Sequence, residues 1–216
     1  MRKSFDLSLY VVIGPAHCAG RDMAEVAVEA VRGGATMVQL RDKASGTGRM
    51  VHDARRLKDC LAPLGVPLLI NDRVDVALAA GAHGVHIGQQ DMGPVDARRL
   101  LGRDAIIGVT VKTRHEAEAI PYDAVDYASI GGVFATASKQ NPDPPIGLDG
   151  LASIAAIIDL PLIAIAGITT ETTAPVINVG VCGVAVISAV CAAPDPRAAA
   201  AELRGLVDGA KAARPK

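Results

Sequence analysis

Three basic residues, Arg41, Lys43 and Lys139, each follow a short apolar run in a different part of the chain. Such runs read as buried strands, so the three side chains leave strand ends and can converge on one mouth. Together they supply a guanidinium fork and two point charges, a set suited to phosphate oxygens. Gln39 and Asn71 add neutral donors. Basic residues in loops are ordinarily just solvated; their shared position after strands sets these three apart. Two carboxylates, Asp72 and Asp91, fall among the cations. They read either as ion-pair partners or as a hard-cation site, because Mg²⁺ takes one or two carboxylates plus waters and substrate phosphates. Cations and Mg²⁺ together imply more negative charge than one phosphate monoester carries, and a diphosphate fits better.

A second anion site is expected further along. Ala166-Gly167-Ile168-Thr169 ends one apolar run, and Val186-Ile187-Ser188 ends the next and opens a helix. Gly167 lets backbone approach a ligand closely, although a glycine here can also serve only a turn. His86 lies on a strand, interior or near the rim, where a hydrogen-bonded core role is commoner than catalysis. His17, His52, His83 and His115 have no supporting context. No Ser–His–Asp arrangement and no persuasive covalent nucleophile is present. The residues therefore point to two phosphorylated substrates, with a metal-bound diphosphate leaving and the second substrate attacking.

These groups must be carried by strand ends. Strand candidates are Leu9–Ile13, Met37–Leu40, Leu68–Ile70, Val85–Ile87, Ile106–Val109, Ala124–Ile130, Leu162–Ala166 and Gly183–Ile187. Between them, apolar residues recur at helical spacing: Ala24, Ala27, Val28, Val31; then Val51, Ala54, Leu57, Leu61; then Ala97, Leu100, Leu101 behind Pro94. Thr113–Ile120 reads as a further helix. A last one opens with Asp195-Pro196 and turns Leu203, Leu206 and Ala210 inward. A motif of helix end, Gly, small residue, spacer and strand recurs at Gly33–Val38, Ala80–Val85 and Val179–Val184. That repetition, with no G-x-G-x-x-G after the first strand, favours a closed barrel over an open doubly wound sheet. The expectation is an α/β fold, one (β/α)8 TIM-barrel domain over residues 1–216, with its site at the C-terminal ends of the strands.

Composition agrees. Half of the 216 residues are hydrophobic, and Tyr, Phe and Trp number 3, 2 and 0. Aliphatic strands with so few aromatics suit a buried parallel sheet. A net charge of −1 gives no field for nucleic acid or a membrane surface. Cys18, Cys60, Cys182 and Cys191 are widely spaced, without zinc-ligand pattern, and read as buried free thiols. Met1–Tyr10 lacks a signal-peptide core, and the run Val181–Val190 is too short to span a bilayer. A cytoplasmic protein is expected, with a homodimer left open.

Gln39-Leu40-Arg41-Asp42-Lys43, Asn71-Asp72, Gly84-Val85-His86-Ile87-Gly88-Gln89-Gln90-Asp91, Thr136-Ala137-Ser138-Lys139, Gly167 and Ile187-Ser188, in this order and spacing, resemble the thiamine phosphate synthase family. The resemblance covers about residues 9 to 190. It implies a barrel enzyme that joins 4-amino-5-hydroxymethyl-2-methylpyrimidine diphosphate to a thiazole phosphate, or to its carboxylate. It further implies that Gln39, Leu40, Arg41, Asp42, Lys43, Asn71, His86, Thr110 and Lys139 serve the pyrimidine diphosphate, with Arg41, Lys43 and Lys139 assisting departure. Asp72 and Asp91 would hold Mg²⁺; Thr136, Ala137, Ser138, Gly167, Ile187 and Ser188 would hold the thiazole phosphate. The sequence departs from the family pattern at Thr110, where Ser is usual, at Ser138, where Thr is usual, and at Ala166, where a second Gly is common. A related thiazole tautomerase shares the surroundings of Val133-Phe134 but carries His where Gly132 stands here. A non-catalytic barrel that binds thiamine precursors is a third reading, whose mark would be loss of a metal carboxylate or of Lys139; both are kept.

Overall fold

Valine-, isoleucine- and leucine-rich runs separated by amphipathic stretches form alternating strands and helices, because only a sheet covered on both faces buries such strands completely. The computed structural model describes residues 5–136 and 144–214. The elements run β1 (Leu9–Ile13), α1 (Met23–Arg32), β2 (Met37–Leu40), α2 (Thr47–Leu61), β3 (Leu68–Asn71), α3 (Val74–Ala80), β4 (Gly84–Ile87) and α4 (Pro94–Leu101). They continue β5 (Ile106–Val111), α5 (Arg114–Glu118), β6 (Tyr127–Ile130), α6 (Gly147–Ala155), β7 (Leu162–Ile165), α7 (Thr170–Asn178), β8 (Gly183–Val186), α8 (Ser188–Cys191) and α9 (Pro196–Ala212). Every strand is parallel to both neighbours, and β8 closes on β1 through Leu9↔Val184 and Val11↔Val186. The closed (β/α)8 barrel expected from the repeats is therefore present. The recurrent glycine has a shared reason: Gly34, Gly81 and Gly180 all have positive φ where a helix turns into the next strand.

Strand alternation splits the apolar residues into two cores. One residue set faces the helices and forms the main shell, including Val38, Leu40, Ile70, Val85 and Val109. The other fills the barrel: Tyr10, Val12, Met37, Leu69, Ile106, Tyr127, Ile163 and Ala185. Tyr127 takes space that Gly108 vacates on the adjacent strand, since a Cβ on Gly108 would lie 2.0 Å from the Tyr127 ring.

Local differences from the sequence expectation have identifiable causes. The sixth strand begins at Tyr127, three residues late, because Asp126 accepts from the Ile107 amide at 2.8 Å and from Arg98 at 2.6 Å, anchoring the entry turn. Strand β7 stops at Ile165 because Ala166 adopts φ 93°. In α4, Leu100 is 48% exposed and Ala97 alone is fully buried. In α9, Val207 is buried and Leu206 is half-buried, one step round the helix from the expected face. In α1 the buried set is Ala24, Val26, Ala27 and Ala30, with Val28 and Val31 half-buried. All four cysteines are free, but only Cys18 and Cys191 are buried; Cys60 is half-buried and Cys182 exposed. No helix among the described residues is long and apolar enough to cross a membrane.

The Gly108–Tyr127 fit gives a direct test. Gly108→Ala is expected to lower stability by about 3 kcal/mol through overpacking, or roughly 6–12 °C in Tm for a domain of this length. Thermal unfolding followed by circular dichroism measures it; an unchanged Tm would mean the ring moves aside freely.

Candidate active site

The C-terminal ends of the strands surround a cavity of about 420 Å³. Its floor is built from inward-facing residues of β1, β2, β4, β5 and β6. Gln39 Nε2 donates to the Tyr10 hydroxyl at 2.7 Å, and the Tyr127 hydroxyl donates to Tyr10 at 3.1 Å. His86 Nδ1 meets the Tyr127 oxygen at 2.7 Å, and His86 Nε2 meets Thr110 Oγ1 at 2.7 Å. With the Tyr127 proton given to Tyr10, a neutral imidazole donates from Nδ1 to Tyr127. Nε2 then accepts from Thr110. The floor is thus one continuous hydrogen-bonded line across the barrel. Burial pushes both tyrosine hydroxyls well above their ordinary values, so both stay neutral.

At the rim, Lys43 is ion-paired with Asp72, and Asn71 Nδ2 donates to the same carboxylate at 2.6 Å. Asp72 also interacts with Asp91, whose Oδ2 accepts from the Gly88 amide at 3.0 Å. Burial pushes the Asp72 carboxyl up, but the Asp91 hydrogen bond and the Lys43 ammonium outweigh it and leave it below the usual value. Asp91 is raised, by burial and then by the hydrogen bond and charge of Asp72. Asp72 holds this position at φ 60°, in the left-handed region that residues other than glycine seldom occupy. Two hard oxygen donors on separate loops, close enough to perturb each other, suit a divalent cation. Asp72 also realises the ion pair that was the other reading of the sequence.

The opposite wall comes from β7 and β8. Gly167, at φ 65°, is required by its neighbours: a Cβ there would lie 2.4 Å from the Ala135 carbonyl oxygen and 2.6 Å from Phe134 Cβ. The Phe134 amide donates to the Ala166 carbonyl at 3.0 Å. The glycine therefore lets the loop after β6 pack on the loop after β7, a role distinct from opening backbone to a ligand.

Gln39, Arg41, Asn71, His86, Thr110, Thr136, Gly167, Ile187 and Ser188 all line this one cavity. Lys43, Asp72 and Asp91 gather beside it through Asn71. Two expected residues stand apart. The Leu40 side chain belongs to the outer shell, as alternation from inward Gln39 requires. Asp42 turns onto its own loop, accepting from the Ala44 and Ser45 amides at 2.9 and 3.0 Å. Ala137, Ser138 and Lys139 lie outside the described residues. Sequence reading missed Tyr10, Lys112 and Ser129 as lining groups and Tyr127 beneath them. The period-two pattern that turns Thr110 inward does the same for Lys112, and register with β5 would have found Ser129.

A barrel whose strand ends gather cations, paired carboxylates and neutral donors around one cavity defines a (β/α)8 enzyme of anionic small molecules. The family model described as thiamine monophosphate synthase matches residues 9–190. The chain is 48% identical over 195 residues to a thiamine-phosphate synthase of Agrobacterium fabrum, covering 88% of this chain and 89% of that one. It is 47% identical over 211 residues to one of Xanthobacter autotrophicus, covering 98% and 100%. A solved thiamine phosphate pyrophosphorylase of Pyrococcus furiosus superposes with TM-score 0.85 at 36% identity, covering 94% of this chain and 96% of that one. A 3-hexulose-6-phosphate synthase, at 18% identity and TM-score 0.68, shares the fold. The chain belongs to the thiamine monophosphate synthase family and is a transferase of thiamine biosynthesis.

Ala166 yields a stability test. Its φ of 93° strains any side-chain-bearing residue, so Ala166→Gly removes a cost of about 1–3 kcal/mol, against roughly 0.4–1 kcal/mol of added unfolded-state entropy. Urea unfolding should show a net gain of about 1 kcal/mol. A loss would mean the methyl packs usefully in the β7 loop.

Proposed function

We propose that the chain joins 4-amino-5-hydroxymethyl-2-methylpyrimidine diphosphate to thiazole phosphate, or to its carboxylate, giving thiamine monophosphate and diphosphate, and from the carboxylate also CO₂. The observation that carries this reading is one cavity of about 420 Å³ lined on one side by Gln39, Arg41, Asn71, His86 and Thr110, and on the other by Gly167, Ile187 and Ser188. One space bounded by both sets lets two substrates meet without crossing solvent.

In the reaction, the bond from the exocyclic methylene to the diphosphate oxygen breaks, and a bond to the thiazole nitrogen forms. Arg41, Lys43 and Lys139 hold the diphosphate oxygens and take up the charge that develops on them, which removes any need for a covalent nucleophile. Asp72 and Asp91 are suited to hold Mg²⁺, which when bound supplies further positive charge to the leaving group. Lys43 then serves two anions, its Asp72 partner and the diphosphate. Gln39, His86 and Thr110, fixed by the floor network, orient the pyrimidine ring. Burial of this floor excludes the water that would otherwise capture an electron-poor methylene. Thr136, Ala137, Ser138, Gly167, Ile187 and Ser188 take the thiazole phosphate. A cytoplasmic setting and a homodimer are consistent with this reading.

The activity test is direct. Purified protein, both substrates and Mg²⁺ should yield thiamine monophosphate by mass, and omission of either substrate should abolish it. Thiazole isomerisation without coupling would instead favour the tautomerase.

The metal assignment has its own test. Asp72→Asn and Asp91→Asn should each raise the Mg²⁺ concentration for half-maximal rate on the order of 10-fold or more, and the double variant should lose less than the product of the single losses because both carboxylates share one ion. Superimposable Mg²⁺ titrations would leave the pair as ion-pair partners only.

A further inference from the structure

Ser129 lies on β6, paired in register with Thr110 on β5 and with Ile163 on β7. All three face into the barrel and line the cavity. Ser129 is 1% exposed, and its Oγ has no hydrogen-bond partner among the described residues. A buried hydroxyl without a partner is a standing cost to the fold, and alanine would remove that cost from the same site. The polar groups around it are hydrogen-bonded in one line: Gln39, Tyr10, Tyr127, His86 and Thr110.

The direction of that network fixes what the two neighbouring hydroxyls present. With His86 neutral and its proton on Nδ1, Thr110 gives its proton to His86 Nε2, and only its lone pairs remain for the cavity. Ser129 Oγ keeps its proton. Across the β5–β6 pair the wall therefore offers an acceptor beside a donor. A 4-aminopyrimidine edge offers the reverse, an amino N–H beside a ring nitrogen that accepts. A thiazole nitrogen that must act as nucleophile gains nothing from a donor, and phosphate calls for the charged groups at the rim rather than a neutral hydroxyl among Val12, Ile163 and Ala185.

We propose that Ser129 is a substrate-binding residue: its hydroxyl donates to the pyrimidine ring nitrogen next to the amino group, while Thr110 accepts from the amino group. This assignment rests on the pyrimidine diphosphate reading of the cavity, and it makes the buried hydroxyl a device of specificity. A site that hydrogen-bonds a substrate group discriminates against analogues lacking it, because its own polar atom is then left unpaired.

Steady-state kinetics of Ser129→Ala test it, using the pyrimidine diphosphate and an analogue with that ring nitrogen replaced by C–H. The variant should show a KM for the pyrimidine diphosphate raised by about 3–10-fold, the loss of one neutral hydrogen bond, with kcat and the thiazole phosphate KM unchanged. The carbon analogue should bind wild type and variant alike, inorganic diphosphate should titrate identically into both, and Tm of the variant should not fall. An unchanged pyrimidine diphosphate KM with a raised Tm would overturn the assignment and leave Ser129 as a merely unsatisfied core hydroxyl. A defect confined to the thiazole phosphate KM would overturn it too, moving the hydroxyl to the other substrate. Failure of the wild type to make any thiamine phosphate would instead sink the functional reading, and this assignment with it.

Discussion

Filling the inside of a closed eight-stranded barrel is the constraint on which the rest of this structure depends. Inward positions come from alternate residues of every strand, and their volumes must sum to a solid core. Here two tyrosines do much of the filling, and Gly108 is the vacancy into which the Tyr127 ring fits. A phenol in an apolar layer brings a hydroxyl that must be satisfied. Tyr127 donates to Tyr10, and the line extends to Gln39, His86 and Thr110. Packing and polar orientation are thus solved by one set of residues. Each member of the cavity floor is held from below by the barrel core and sideways by its neighbours.

The rim follows a different rule. Asp72 sits at positive φ, a conformation that costs energy and persists where the surroundings enforce it. Its amide donates to the His86 carbonyl at 2.8 Å, which ties the strained residue to the strand that carries the imidazole. Lys43, Asn71 and Asp91 then converge on its carboxylate. The arrangement brings two negative charges together and lowers their repulsion with one lysine, a balance that a cation would complete. On the far wall, strain and space are divided between adjacent residues: Ala166 takes a positive φ despite its methyl, and Gly167 accommodates the loop after β6.

Much of the architecture was legible in the chain. Eight apolar runs, helical periodicity between them and a repeated glycine at helix ends imply a barrel, because each signal is local and set by the backbone. Helix faces were read less well. Leu100 is exposed and Val207 replaces Leu206, since the face a helix buries is set by its rotation against the barrel and the neighbouring helices, which the i, i+3, i+4 spacing alone does not fix. The motif residues were found because charged and amide groups stand out after apolar runs. Leu40 and Asp42 were carried along with them, although alternation turns Leu40 outward and a local turn engages Asp42.

What the sequence determined by itself is the order of elements, the end of the barrel that carries polar groups, and the family to which the motifs belong. These depend on period, turn chemistry and residue type, all of which act over a few positions. What only the tertiary structure decided is which side chains share a surface across strands. Tyr10 and Tyr127 are 117 positions apart and meet at 3.1 Å, and nothing in either local sequence marks them as a pair. Through that pair the line reaches His86 and then Thr110, which stands beside Ser129. Register between strands, fixed by barrel closure, is a property of the whole sheet, so the chemistry it creates cannot be read from any one segment.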